Sequence, residues 1–160
     1  MLNIIAEAVR TESNIAEHAT VTYMDEEARK SRRLLLVEDN KTNQKVALAI
    51  LKKLGFKADV ADDGFKAIEI LQKSEYDIVF MDCQMPGIDG YETTRRIRSG
   101  EANAIDPKTI IIAMTANATE EDKKECLAAG MDDYISKPVQ PSNLLDMLIR
   151  WIAHRKGQLG

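Results

Sequence analysis

The sequence predicts an α/β fold, a parallel sheet with helices on both faces. Three observations predict it. From Ser31 onward apolar runs alternate with amphipathic stretches, the rhythm of right-handed βαβ units. The apolar runs are nearly continuous, as in strands covered on both faces. Glycines and capping residues fall where the stretches between them must begin or end.

The elements follow in order. A first strand is expected at about residues 33–38, built on Leu34-Leu35-Leu36-Val37. In the helix after it, Val46, Ile50 and Leu54 are spaced four apart and are expected on the buried face. Gly55 follows as a left-handed cap. A second strand at about 57–61 leads to a second helix. The third strand, about 77–81, carries Ile78-Val79-Phe80-Met81 and runs into Asp82. Asp89 is expected to cap the third helix, with Glu92 completing a capping box. The fourth strand, about 109–114, contains Ile110-Ile111-Ile112-Ala113-Met114 and leads to Thr115. Thr119 and Asp122 repeat the capping box for the fourth helix, and Gly130 closes it. The fifth strand, about 132–135, leads through Tyr134-Ile135-Ser136 to Lys137. In the fifth helix Leu144, Leu148, Trp151 and Ile152 share one face.

At 160 residues and 17.9 kDa, the chain has room for one ordinary domain and an appendage. The domain is expected at residues 31–156, with a tail at 157–160. Residues 1–30 differ from the rest. Glu7, Glu12, Glu17, Asp25, Glu26 and Glu27 outweigh Arg10, Arg29 and Lys30, so most of the net charge of −4 lies there. This head reads as a linker, partly helical or disordered, joined to something upstream; a cloning remnant is the other reading. No output domain is expected after the fifth helix. The mild acidity argues against direct nucleic-acid binding. No apolar run approaches the roughly 18–20 residues that span a membrane, and no signal peptide is evident. Cys83 and Cys126 make neither a disulfide framework nor a zinc site and read as buried thiols. A cytoplasmic location is expected, including that of the cytoplasmic part of a membrane-bound protein.

Chemistry gathers at the strand ends. In an open parallel sheet, ligands bind outside the carboxyl ends of the strands. Glu38, Asp39 and Asp82 would meet there and raise each other's pKa, a conflict that a bound Mg²⁺ removes. Taken alone, Asp39 also suits an ordinary helix cap. An Asp carboxylate can attack phosphorus, and the transferred oxygens then need neutralising. Lys137 can supply a point charge and Thr115 a hydroxyl. Taken singly, Lys137 also reads as a solvated lysine, and Thr115 as a residue bonding its own loop. Pro138 after Lys137 permits a cis bond in a tight turn. His18 and His154 read as exposed surface residues.

Four motifs in this order are Val37-Glu38-Asp39-Asn40, the run from Met81 through Asp82 and Pro86 to Gly90, Met114-Thr115-Ala116 and Ser136-Lys137-Pro138. From about Arg32 to His154 the chain thereby resembles the receiver domain of two-component response regulators. The resemblance implies a flavodoxin-like (βα)5 three-layer sandwich with strand order 2-1-3-4-5. It implies Asp82 as the phosphoacceptor and Asp39, Glu38, Asp82 and the Gln84 backbone carbonyl as ligands of Mg²⁺, with Mn²⁺ also acceptable. Lys137 matches the phosphate-binding lysine, and Thr115 and Tyr134 match the switch pair. Ala116, Asn117 and Pro138 occupy modulating positions.

The function so implied is Mg²⁺-dependent transfer of a phosphoryl group from a phosphohistidine to Asp82. Transfer would switch the surface of the fourth helix, fifth strand and fifth helix, which is also a candidate homodimer face. The expected partner is a histidine kinase or a histidine phosphotransfer protein, with no direct contact to nucleic acid or membrane. Apart from catalysing its own phosphorylation and dephosphorylation, such a domain is not an enzyme. The style of the motifs resembles receivers fused to hybrid histidine kinases; a stand-alone regulator is the runner-up. An alternative class, a phosphohydrolase of the haloacid-dehalogenase type, wants a second Asp two residues after the nucleophile as general acid. Gln84 stands there, and no cap domain is expected. A nucleotide-binding module would need a Gly-rich loop where Glu38-Asp39-Asn40-Lys41 stands.

Overall fold

The computed structural model describes Arg29 and residues 31–159, with side chains as far as Ile152. The rest of the head, with His18, lies outside the described residues, as does the side chain of His154. Among the described residues five strands and five helices alternate: β1 (Leu34–Val37), α1 (Lys41–Lys53), β2 (Ala58–Ala61), α2 (Gly64–Lys73), β3 (Ile78–Asp82), α3 (Gly90–Ser99), β4 (Ile110–Thr115), α4 (Glu120–Ala129), β5 (Asp133–Ser136) and α5 (Pro141–Leu159). The sheet is wholly parallel, in the order β2-β1-β3-β4-β5.

Side chains alternate between the two faces of each strand, and the core divides accordingly. Leu34, Leu36, Ile78, Phe80, Ile110 and Ile112 pack on one face with residues of α1 and α5. Leu35, Val37, Val79, Met81, Ile111 and Ala113 pack on the other with residues of α2, α3 and α4. The result is three layers. Every residue of β1, β3 and β4 is buried, which explains why those strands read as unbroken apolar runs.

Two sequence expectations need correction. Val46 is not on the buried face of α1; it is 48% exposed. The inward stripe is Gln44, Ala47 and Leu51, flanked by Leu48, Ile50 and Leu54. A row spaced by four drifts about 40° per step around a helix of 3.6 residues per turn. Ile50 and Leu54 therefore reach the edge of the core while Val46 falls outside it. The second correction concerns α3. Asp89 caps it by accepting from the Glu92 N–H, but the Glu92 carboxylate turns away to Arg95 and Arg96. Only half of that capping box forms. At α4 both halves form, between Thr119 and Asp122. Gly55 and Gly130 adopt φ of 91° and 104°, the left-handed conformation expected of them.

Arg98, near the end of α3, ties three segments together. Its guanidinium donates to the carbonyls of Pro107, Thr109 and Gly130 and to the Asp132 carboxylate at 2.8 Å. Asp132 also accepts from the Ile111 N–H in β4. Replacing the arginine strands these acceptors around a half-buried carboxylate. Arg98→Ala should therefore lower the unfolding free energy by about 3 kcal/mol, measured by urea titration. A loss near zero would show that water replaces the guanidinium freely.

Candidate functional site

Because β1, β3 and β4 are neighbours in register, their carboxyl ends form one rim. Glu38 follows β1, Asp82 ends β3, Thr115 ends β4 and Lys137 follows β5. The rim is dry at its floor: Glu38 is 2% exposed and Asp82 3%. The Lys137 ammonium lies between them, 3.1 Å from Glu38 and 3.0 Å from Asp82. The Lys137–Pro138 peptide bond is cis, as the sequence allowed, and the Lys137 N–H donates to the Thr115 carbonyl.

Each acid has further partners. Glu38 accepts from the Asn40 N–H at 3.1 Å. Asp82 accepts from the Gln84 N–H at 3.1 Å. The two carboxyls differ in proton affinity. Asp82 is pushed up to about 6, chiefly by burial; the Lys137 ammonium and the Gln84 N–H oppose the rise and contact with Glu38 adds to it. Burial also pushes Glu38 up, but the Asn40 N–H, Asp82 and Lys137 outweigh it and hold Glu38 below its ordinary value. The expectation that these acids raise one another therefore holds for Asp82 and fails for Glu38. Lys137 is held above its ordinary value by the two acids, against the opposing effect of burial.

Asp39 is exposed and stands outside the floor. It is not the cap of α1: Asn40 takes that place, accepting from the Asn43 N–H at 2.9 Å. Single carboxylate oxygens of Glu38, Asp39 and Asp82 all lie within 4.8 Å of one another. Ligand oxygens on an octahedral cation with bonds of about 2.1 Å are about 3–4 Å apart. The donor set thus fits Mg²⁺ after a small contraction, and its hard oxygens suit that ion. The Gln84 side chain is exposed.

Thr115 is buried, and its hydroxyl is engaged within its own loop. It donates to the Asn117 carbonyl at 2.9 Å and accepts from the Asn117 N–H at 3.3 Å. Tyr134 is half-buried on β5, away from the acids, with the Lys123 ammonium 5.2 Å from its ring centre. Ala116 and Asn117 are exposed, as is Pro138.

Two site residues escaped sequence reasoning. Gln44 is buried in α1 and donates to the Glu38 carbonyl at 2.6 Å and to Asp62 at 2.8 Å. It fixes the end of β1 against the β2–α2 turn. A polar residue on the stripe Gln44-Ala47-Leu51 was the available signal. Gly90 opens α3 so close to β3 that a Cβ would collide with the Asp82 carbonyl oxygen. Any side chain there would displace the backbone that carries Asp82.

The profile of the family described as response regulator receiver domain matches residues 34–149. Hybrid signal transduction histidine kinase B of Dictyostelium discoideum is 41% identical over 129 residues, 76% of this chain and 7% of its own length. Hybrid signal transduction histidine kinase K of the same organism is 41% identical over 131 residues, 79% of this chain and 11% of its own. The chain thus spans a small fraction of the curated relatives it matches. Among solved structures, the receiver domain of a Pseudomonas aeruginosa sensor histidine kinase, with magnesium coordinated in its active site cleft, aligns with a TM-score of 0.68 and 41% identity, covering 76% of this chain and 98% of that one. The receiver domain of the Saccharomyces cerevisiae response regulator Ssk1, crystallised with the histidine phosphotransfer protein Ypd1, aligns with a TM-score of 0.69 and 31% identity, covering 76% and 89%. Among the described residues no helix is long and apolar enough to cross a membrane.

The raised pKa of Asp82 has a stability consequence. An acid whose folded pKa lies above its unfolded value of 3.8 stabilises the fold most below that value, and the gain is lost as pH rises through about 6. At pH 8 the ionised group is therefore a burden that Asp82→Asn removes. In chelator, the variant should melt above the wild type at pH 8, and the difference should shrink toward pH 5. Calorimetry showing the wild type more stable at pH 8 would contradict the assigned direction.

Proposed function

The chain belongs to the response regulator receiver domain family, and from that premise we propose that it accepts a phosphoryl group on Asp82 from a phosphohistidine partner and switches conformation in response. One observation carries the reading. Asp82 is buried at the floor of the rim, with Lys137 at 3.0 Å and two further carboxylates within reach. An isolated structural acid has no use for that company.

Asp82 is the nucleophile. Its carboxylate forms an O–P bond as the N–P bond of the phosphohistidine breaks, and the imidazole leaves with the bonding pair. Glu38, Asp39, Asp82 and the Gln84 carbonyl would hold Mg²⁺, or Mn²⁺, which would neutralise phosphoryl charge when bound. Lys137 already stands beside the attacking carboxylate and turns its point charge to the transferred oxygens. Thr115 can join only by exchanging Asn117 for a phosphoryl oxygen. That exchange vacates the space beside β4 and β5 into which Tyr134 turns, and it biases a pre-existing equilibrium. The α4–β5–α5 face, which is also the candidate dimer face, carries the result outward. Ala116, Asn117 and Pro138 modulate access and lifetime.

The phosphohistidine must approach the open end of the sheet. Val46, exposed on α1, lines a hollow of about 110 Å³ beside Lys137 with Asn43, Pro138 and Val139. We assign this apolar rim to the partner, a histidine kinase or histidine phosphotransfer protein. The likeness to hybrid kinases supports a place within such a kinase.

Incubation with a small phosphodonor and Mg²⁺ should add one phosphoryl group at Asp82, mapped by mass spectrometry. Asp82→Asn and chelator should each abolish it; undiminished labelling of the variant would refute the assignment. Val46→Asp should slow transfer from a phosphohistidine protein about tenfold while sparing the small donor. Equal slowing with both donors would place Val46 in the chemistry instead of at the docking rim.

A further inference from the structure

We infer that Lys123 is a positioning residue for the switch, holding Tyr134 in its outward setting through contact with the phenol side chain. The inference rests on the reading of Thr115 and Tyr134 as the switch pair.

Lys123 lies in the first turn of α4, one turn before the buried Cys126. That spacing puts its stem on the inward flank of the helix, toward β5, and its side chain is only 32% exposed. The ammonium stands 5.2 Å from the Tyr134 ring centre. Among the described residues it is the only cation set over this ring. Its other partner is Glu120, one turn back at 3.3 Å, whose side chain is 83% exposed and screened by water. The half-buried ring is thus the partner that water competes for least.

The ammonium is attracted by the ring quadrupole and by the phenol oxygen of Tyr134, which helps hold Lys123 above its ordinary value. Both attractions exist only while Tyr134 stands against α4. When Tyr134 turns inward, Lys123 keeps Glu120 alone. The contact therefore favours the outward setting selectively, which is the condition for any group to shift a two-state equilibrium. Thr115 is held by Asn117 in the same structure, so the two members of the pair have separate restraints, one on each strand. Release of Thr115 by itself leaves the tyrosine still restrained.

The test uses the intact chain. Lys123→Met keeps the length of the stem and removes the charge; Lys123→Arg keeps a cation over the ring. Removing the hold should raise the inward population, and with it the rate of labelling by a small phosphodonor, by about two- to fivefold, the weight of one partly exposed cation–π pair. Arginine should restore the wild-type rate. Ring ¹³C shifts of Tyr134 in the unlabelled Met variant should move toward those of the phosphorylated wild type. In a Tyr134→Leu background, Lys123→Met should change nothing. Glu120→Gln should not raise the rate. If it reproduces the Met variant, Lys123 serves the helix and the inference fails. It fails also if the Met variant labels at the wild-type rate with unmoved ring shifts. Absence of label at Asp82 in every variant, wild type included, would instead overturn the phosphoacceptor reading on which this one stands.

Discussion

The site depends on one constraint: two carboxyls are buried within reach of each other, and something positive must stand between them. Lys137 meets it, at 3.1 Å from Glu38 and 3.0 Å from Asp82. Burial limits how far water can screen these charges, and the ammonium offsets them from within. The arrangement also separates the two acids. Glu38 has the Asn40 N–H and stays charged, whereas Asp82 is left the weaker acid. A weaker acid is a better nucleophile once deprotonated, which supports the role proposed for Asp82.

The fold serves this constraint by bringing three strand ends side by side. β1 and β3 pair directly, and β4 adjoins β3. Small contributions then fix the rim. Gln44 binds the Glu38 carbonyl and Asp62 together, and the Lys137 N–H reaches the Thr115 carbonyl. The two cores, one on each face of the sheet, hold these ends from both sides.

Most of the fold was legible because buried parallel strands announce themselves. Leu34 to Val37 and Ile110 to Met114 are apolar throughout, and each observed strand lies within a residue of its expected bounds. Helix faces were less legible. Val46 looked inward because a four-residue spacing approximates a helical stripe over one turn and departs from it over two. The capping box at Asp89 failed because Glu92 had two arginines on its own helix to choose from. In the site, acids and lysine were readable because each follows an apolar run. Gln44 and Gly90 were not. Their significance lies in what they touch across the fold, and a linear pattern of residue types does not encode that distance. The Lys123–Tyr134 contact, between a helix and the strand after it, escaped for the same reason.

Gly90 has a consequence for how this domain can diverge. Its missing side chain lets the first turn of α3 rest directly on the peptide that presents Asp82. That leaves the helix and the acid without an intervening cushion. Drift in α3, even far from the rim, is therefore transmitted to the aim of the carboxyl. Apart from the Arg98 anchor, the outer surface of α3 can vary, but its angle to the sheet cannot.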